Sequence, residues 1–206
     1  MKSSILILNG SLGADTGNTS QVLKHVEKTL AVEADVSTIH LATELGRDLE
    51  PDCSRAELSD SLISKLKTAD GFVFSTGVYW DSWGSPLQRF LELATSLEAS
   101  DVWLGKPASC LVTMHSVGGK EVLSRLQGVL STFGLMIPPM TGFVYSLANH
   151  LALQTPTTEF HSDLWQLEDA SIVARNLLTA VQLDSSSRPK WEPWPIDESS
   201  PMRRWI

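Results

Sequence analysis

Cysteine and tyrosine are scarce, two of each in 206 residues. Cys53 and Cys110 lie far apart with no CxxC pattern, which excludes a disulfide scaffold and a zinc module of familiar spacing. Both read as packing residues in a reducing compartment, so the cytoplasm is the expected location. Basic residues are also few. Sixteen Lys and Arg stand against 24 Asp and Glu, for a net charge of -8. Non-specific nucleic-acid binding needs an excess of positive charge to displace counterions, and docking on an anionic membrane needs the same, so neither partner is expected. Long apolar runs are missing as well. The run Ile5–Leu8 is shorter than the ~7–15 residues of a signal-peptide core, and no segment approaches the ~20 residues of a membrane span. His40, His150 and His161 are scattered without HxxxH or HxE spacing, so no metal site is expected. No serine sits in a GxSxG elbow, and no repeat recurs at 20–50 residues.

What is present is alternation. Short β-prone runs at 4–8, 35–41, 71–75 and 107–114 alternate with helical stretches at 19–31, 59–68, from about 85, and at 120–133. Either 135–137 or 142–145 supplies a fifth strand, and 163–183 a final helix. The segment GFVFS, Gly71–Ser75, is apolar enough to be buried on both faces. Such alternation predicts a parallel sheet covered by helices on both sides, a three-layer α/β/α domain. Right-handed crossovers leave few topologies. One of them, the strand order 2-1-3-4-5, brings the loops after strands 1, 3 and 4 together at a switch point. Those three loops hold the most unusual residues of the chain.

The first loop, Asn9–Ser20, is rich in Gly, Ser, Thr and Asn and opens a helix. Unpaired N–H groups and the helix dipole suit a phosphate dianion there. The hydroxyls of Ser11, Thr16, Thr19 and Ser20 and the amide of Asn18 add donors. The loop has no Lys or Arg, and both GxxxxGK[ST] and GxGxxG are absent. A helix cap without a ligand is the plain alternative. The second loop, Thr76–Pro86, carries Tyr79, Trp80 and Trp83. A flat heteroaromatic ring needs such a face, with backbone donors of Val78, Tyr79 and Trp80 at its edge. The same aromatics could instead cover a helix end or a subunit interface. In the third loop, His115–Gly119, paired glycines permit close backbone approach. His115 there is either a ring-edge donor or an ordinary polar cap.

In that order and spacing, GSLGADTGNTS, STGVYWDSWGSPLQRFLE and MHSVGGKE resemble the NAD(P)H-dependent FMN reductases, a family with the flavodoxin-like fold. The resemblance covers about residues 4–145. It implies FMN as cofactor, its phosphate held by Ser11, Gly17, Asn18, Thr19 and Ser20. Val78, Tyr79, Trp80 and Asp81 would flank the isoalloxazine, with His115, Ser116 and Gly118 closing its other edge. It further implies NADPH or NADH as co-substrate and a quinone, an azo or nitro compound, or free flavin as electron acceptor. The unit would be a homodimer or homotetramer. The chain departs from the family pattern in three ways. Gly77 replaces a usual Pro, which predicts a looser ring loop. Asp81 replaces a common Gly and puts a carboxylate near the ring, and the basic residue often found in the phosphate loop is missing. A flavodoxin-type electron carrier and a flavin-free interaction domain remain the rival functions.

The domain is expected to span 1–183. Beyond it, 184–206 is a tail rich in Ser, Pro and Trp (Trp191, Trp194, Trp205), expected to wrap across its own domain or, more readily, onto a second subunit.

Overall fold

The computed structural model describes residues 2–46, 58–155, 165–183 and 189–194. The first apolar run forms β1 (Ser3–Asn9), whose last five residues are all buried. Helix α1 (Asn18–Leu30) follows and turns Val22, Leu23, Val26 and Leu30 inward at helical spacing. The next strand, β2 (Ala34–His40), leads into the single turn α2 (Leu41–Glu44). Helix α3 (Asp60–Thr68) is capped by Ser59, whose side chain accepts from the Leu62 N–H. The chain continues as β3 (Gly71–Tyr79), β4 (Ser82–Trp83) and α4 (Ser85–Ala94), which takes Pro86 in its first turn. After β5 (Ala108–Met114) comes α5 (Gly119–Thr132), then β6 (Gly142–Ser146), α6 (Leu147–Leu153) and α7 (Ala170–Val181).

Five strands pair in parallel in the order β2-β1-β3-β5-β6, with β4 folded back antiparallel on β3. In sequence order the parallel strands read 2-1-3-4-5, the expected doubly wound arrangement. Alternate residues of each central strand feed opposite cores. Leu6, Leu8, Phe72, Phe74, Cys110 and Val112 pack with α3, α4 and α5. Ile5, Ile7, Val73, Leu111 and Phe143 pack with α1 and α7. This two-sided burial is why the strands read as continuous apolar runs rather than as alternating ones.

Several boundaries move. β2 ends at His40 rather than at 41, because Leu41 opens α2. The fifth parallel strand is Gly142–Ser146; of 135–137, Met136 makes one isolated bridge to Pro107. β3 runs on to Tyr79, four residues beyond the sequence boundary, so Gly77, Val78 and Tyr79 lie in a strand rather than a loop. Gly77 pairs with Thr113 of β5. Lacking the usual Pro thus does not leave a loose segment at this point. The final helix begins at Ala170 after a short 3-10 turn, Leu167–Asp169, and 163–164 lie outside the described residues. Cys53, His161 and Trp205 lie outside them too.

The described part of the tail returns to its own domain. A β carbon at Gly105 would come 2.6 Å from Trp191 Cδ1. That contact lies just before β5, at the sheet edge opposite the three loops. Cys110 is fully buried and burial pushes its thiol well above the usual range. In a Cys53→Ser background, the folded protein is therefore expected to resist a thiol-titrating disulfide reagent. One thiol per chain then appears in denaturant; rapid reaction without denaturant would contradict the burial.

Candidate functional site

Parallel pairing places the C-terminal ends of β1, β2 and β3 side by side, with Asn9 opposite both His40 and Ser75. Asn9 is fully buried and organises the first loop. Its Oδ1 accepts from the Ser11 N–H at 3.1 Å and from Ser75 Oγ at 3.3 Å. A backbone N–H can only donate, so the amide orientation is settled and Nδ2 faces the other way. Nδ2 donates to Ser20 Oγ and to His40 Nδ1, each at 3.2 Å. His40 therefore carries its proton on Nε2, which donates to Asp15 Oδ1 at 2.7 Å. The one acidic side chain of the loop is engaged in this way. Neither Asn9 nor His40 stood out in the sequence. The signal was their shared position at the ends of adjacent strands.

Above this network the chain makes a tight turn. Gly13 lies so near Gly17 that a β carbon on Gly13 would meet Gly17 Cα at 2.9 Å. Thr16 donates its hydroxyl to the Gly13 carbonyl, and Thr19 pairs with Thr113 at 2.7 Å. Two of the expected hydroxyl donors are thus committed to the protein itself, and Ser20 is engaged by Asn9. Ser11 differs: its Oγ is buried and has no partner. Gly17, the N-cap of α1, offers no side chain to cap the helix, and Asn18 sits exposed in the first turn. A buried hydroxyl without a partner, in a loop that Asn9 ties to an uncapped helix start, suits an anion with several acceptor oxygens. The donor set fits a phosphate monoester neutralised by dipoles rather than by Lys or Arg.

The second loop is a hairpin. Thr76 Oγ1 accepts from the Gly84 N–H at 2.9 Å and donates to the Gly77 carbonyl at 3.0 Å, tying its two strands together. The Tyr79 ring lies across Gly77 and Gly84, where a β carbon would meet its Cε2 at 3.1 and 3.3 Å. Trp80 is wholly exposed at the tip. Trp83 turns away from the loop cluster. Its indole N–H donates to Gln88 Oε1 at 2.6 Å, and Arg125 of α5 lies over its ring. Of the three aromatics, Tyr79 and Trp80 remain for a ligand. His115, Ser116 and Val117 are exposed, and the His115 carbonyl accepts from Ala148 N–H at the start of α6. The Gly118 backbone adopts φ +85°, and Gly118 faces Asp81 across the gap between the second and third loops. All fourteen residues expected at the site stand along one edge of the sheet.

Among the described residues, no group of three metal-ligating side chains converges, and no helix is long and apolar enough to cross a membrane.

Solved structures define the fold class. An oxidoreductase from Corynebacterium diphtheriae superposes with a TM-score of 0.67 at 19% identity, covering 89% of this chain and 99% of its own. The apo form of the NADH:FMN oxidoreductase EmoB gives 0.62 at 20%, covering 90% and 94%. RosB, solved with bound 8-demethyl-8-formylriboflavin-5'-phosphate, gives 0.68 at 14%, covering 99% and 95%. Flavodoxins from Bacillus cereus and other sources share the same arrangement, so the fold is flavodoxin-like α/β. The model of the NADPH-dependent FMN reductase family matches residues 3–169, and the chain belongs to that family of flavin-binding oxidoreductases. No curated protein matches the sequence at a significant level.

Proposed function

We propose that this protein binds FMN at the edge formed by its three loops and works as an NAD(P)H-dependent oxidoreductase. The observation that carries the reading is the buried, partnerless Ser11 hydroxyl in the loop that Asn9 ties to the uncapped first turn of α1. In this reading Ser11, Asn18 and the first backbone N–H groups of α1 hold the phosphate. Asn9 and His40 hold the loop in shape and keep the Asp15 carboxylate occupied. The exposed Trp80 and the ring of Tyr79 offer apolar surface to the isoalloxazine, while backbone groups of Val78, His115, Ser116 and Gly118 meet its edges. When bound, FMN supplies the two-electron chemistry, taking a hydride from a reduced nicotinamide and passing electrons to a quinone, azo or nitro acceptor, or free flavin. The chain's part is to bind, orient and shield, and no acid or base is required of it.

Titration of the purified protein with FMN, and with riboflavin in parallel, tests the phosphate site. Charge-assisted bonds contribute about 1.5–3 kcal/mol each, so FMN is expected to bind roughly ten- to a hundredfold more tightly than riboflavin. Equal affinities would remove the phosphate from the first loop, and binding of neither would end the flavin reading. Oxidation of NADPH or NADH by the FMN-loaded protein then separates the enzyme from an electron carrier, which lacks that activity.

A further inference from the structure

The hairpin between β3 and β4 turns through Trp80 and Asp81, both with positive φ, 49° and 58°. Tight hairpins of this hand ordinarily use Asn and Gly, because a β carbon makes the left-handed region costly. Here the turn is held from outside. Arg125 Nη1 donates to the Asp81 carbonyl at 3.0 Å, while the guanidinium rests 5.1 Å from the centre of the Trp83 ring. With its main chain pinned, Asp81 sends its carboxylate the other way, toward the third loop. A β carbon at Gly118 would come 2.6 Å from Asp81 Oδ1. The carboxylate therefore fills room that only glycine leaves, and its place is built into both loops. Among the described residues, no cationic side chain forms an ion pair with it. Arg125 is occupied by the carbonyl and reaches only Glu121, at 3.9 Å, and the imidazole of His40 is given to Asp15.

We propose that Asp81 sets the redox bias of this site, weakening the hold on the anionic, two-electron-reduced isoalloxazine relative to the oxidised ring. The proposal rests on the flavin reading above. Two-electron reduction of the ring takes up one proton to give an anion, or two to give a neutral molecule. A fixed, unpaired carboxylate where the second and third loops meet repels the anion and leaves the neutral oxidised ring almost untouched. Two consequences follow. The bound cofactor becomes a stronger reductant, and its reduction draws in the second proton under conditions where the free cofactor would remain an anion.

The test is equilibrium binding of oxidised FMN and, under anaerobic conditions, of dithionite-reduced FMN. Both are measured in alkaline buffer, where free reduced FMN is an anion, and in mildly acid buffer, where it is neutral. Asp81→Asn removes the charge and keeps the turn, since Asn adopts positive φ as readily as Asp. In alkaline buffer the variant is expected to bind reduced FMN about tenfold more tightly, the order for one partly solvated charge at short range. Its affinity for oxidised FMN stays within about twofold, and the gain shrinks in acid. Asp81→Glu keeps the charge and is expected to keep the wild-type ratio of the two affinities. A ratio unchanged in Asp81→Asn, or raised equally in Asp81→Glu, would overturn the assignment while leaving flavin binding intact. Failure of the wild-type protein to bind oxidised FMN at all would overturn the flavin reading, and this proposal with it.

Discussion

Asn9→Ala is expected to lower stability by roughly 3–4 kcal/mol, since bonds of this kind contribute about 1 kcal/mol net and an abandoned buried partner costs about 1–3. The side chain touches four groups from two strands, a loop and a helix: Ser11 N–H, Ser75 Oγ, Ser20 Oγ and His40 Nδ1. Alanine leaves the buried Ser11 N–H without an acceptor and frees His40, and with it Asp15, from a fixed place. A loss of this size is a large share of the roughly 5–15 kcal/mol that holds a domain folded. Urea unfolding checks it as a lower midpoint at unchanged slope. Asn9→Asp retains the two acceptor bonds and loses the two donor bonds, so its midpoint falls between the two. An alanine variant as stable as the parent would show that Asn9 is a bystander. Flavin binding gives a second readout: FMN affinity falls in Asn9→Ala by more than riboflavin affinity does.

The second large effect lies away from the loops. Trp103→Ala is expected to cost roughly 3–5 kcal/mol, the usual range for deleting a buried aromatic. Its ring stands 5.1 Å from that of Phe72, stacks on Phe133 at 6.1 Å and meets Phe90 edge-on at 6.3 Å. Trp103→Phe behaves differently. The indole Nε1 is buried without a partner, a cost of about 1–3 kcal/mol that phenylalanine removes. The loss of packing is then offset, and the net change is expected to stay within about 2 kcal/mol. Parallel denaturation of the two variants checks the difference. Equal losses would mean that the indole N–H has a partner after all, such as a buried water.

Much of this architecture was legible because each level of the sequence agreed with the next. GFVFS reads as a strand apolar enough to be buried on both faces, and Phe72 and Phe74 indeed enter one core while Val73 enters the other. The three loops were found by their residue types, and the right-handed crossover rule brought them to one edge. Extending β3 through Gly77 and Tyr79 was not legible. Gly, Tyr and Trp read as loop residues until a partner such as β4 supplies hydrogen bonds, and a two-residue strand leaves no periodic signal. The choice between 135–137 and 142–145 was likewise a question of tertiary pairing, since both segments are apolar and short. Asn9 and His40 were missed for another reason. Each is a polar residue at the very end of its strand, Asn9 after an apolar run and His40 in a mixed one, and its meaning appears only once β1 and β2 are neighbours. Asp81 was visible as a departure from a pattern, but its contact with Gly118 and the grip of Arg125 on its carbonyl needed coordinates.

The position of β1 between β2 and β3 has a consequence for the chain as it is made. The hydroxyl of Ser75 that helps to fix Asn9 is synthesised 66 residues after it. At about 5–20 residues per second, that partner is missing for roughly 3–13 s. Throughout the wait, the edge of β1 that pairs with β3 stays open along Ile5, Leu6, Ile7 and Leu8, although β1 is an interior strand of the finished sheet. The newborn chain is thus most prone to stray strand pairing before its third strand leaves the ribosome, and a pause in translation placed there would lengthen that exposure.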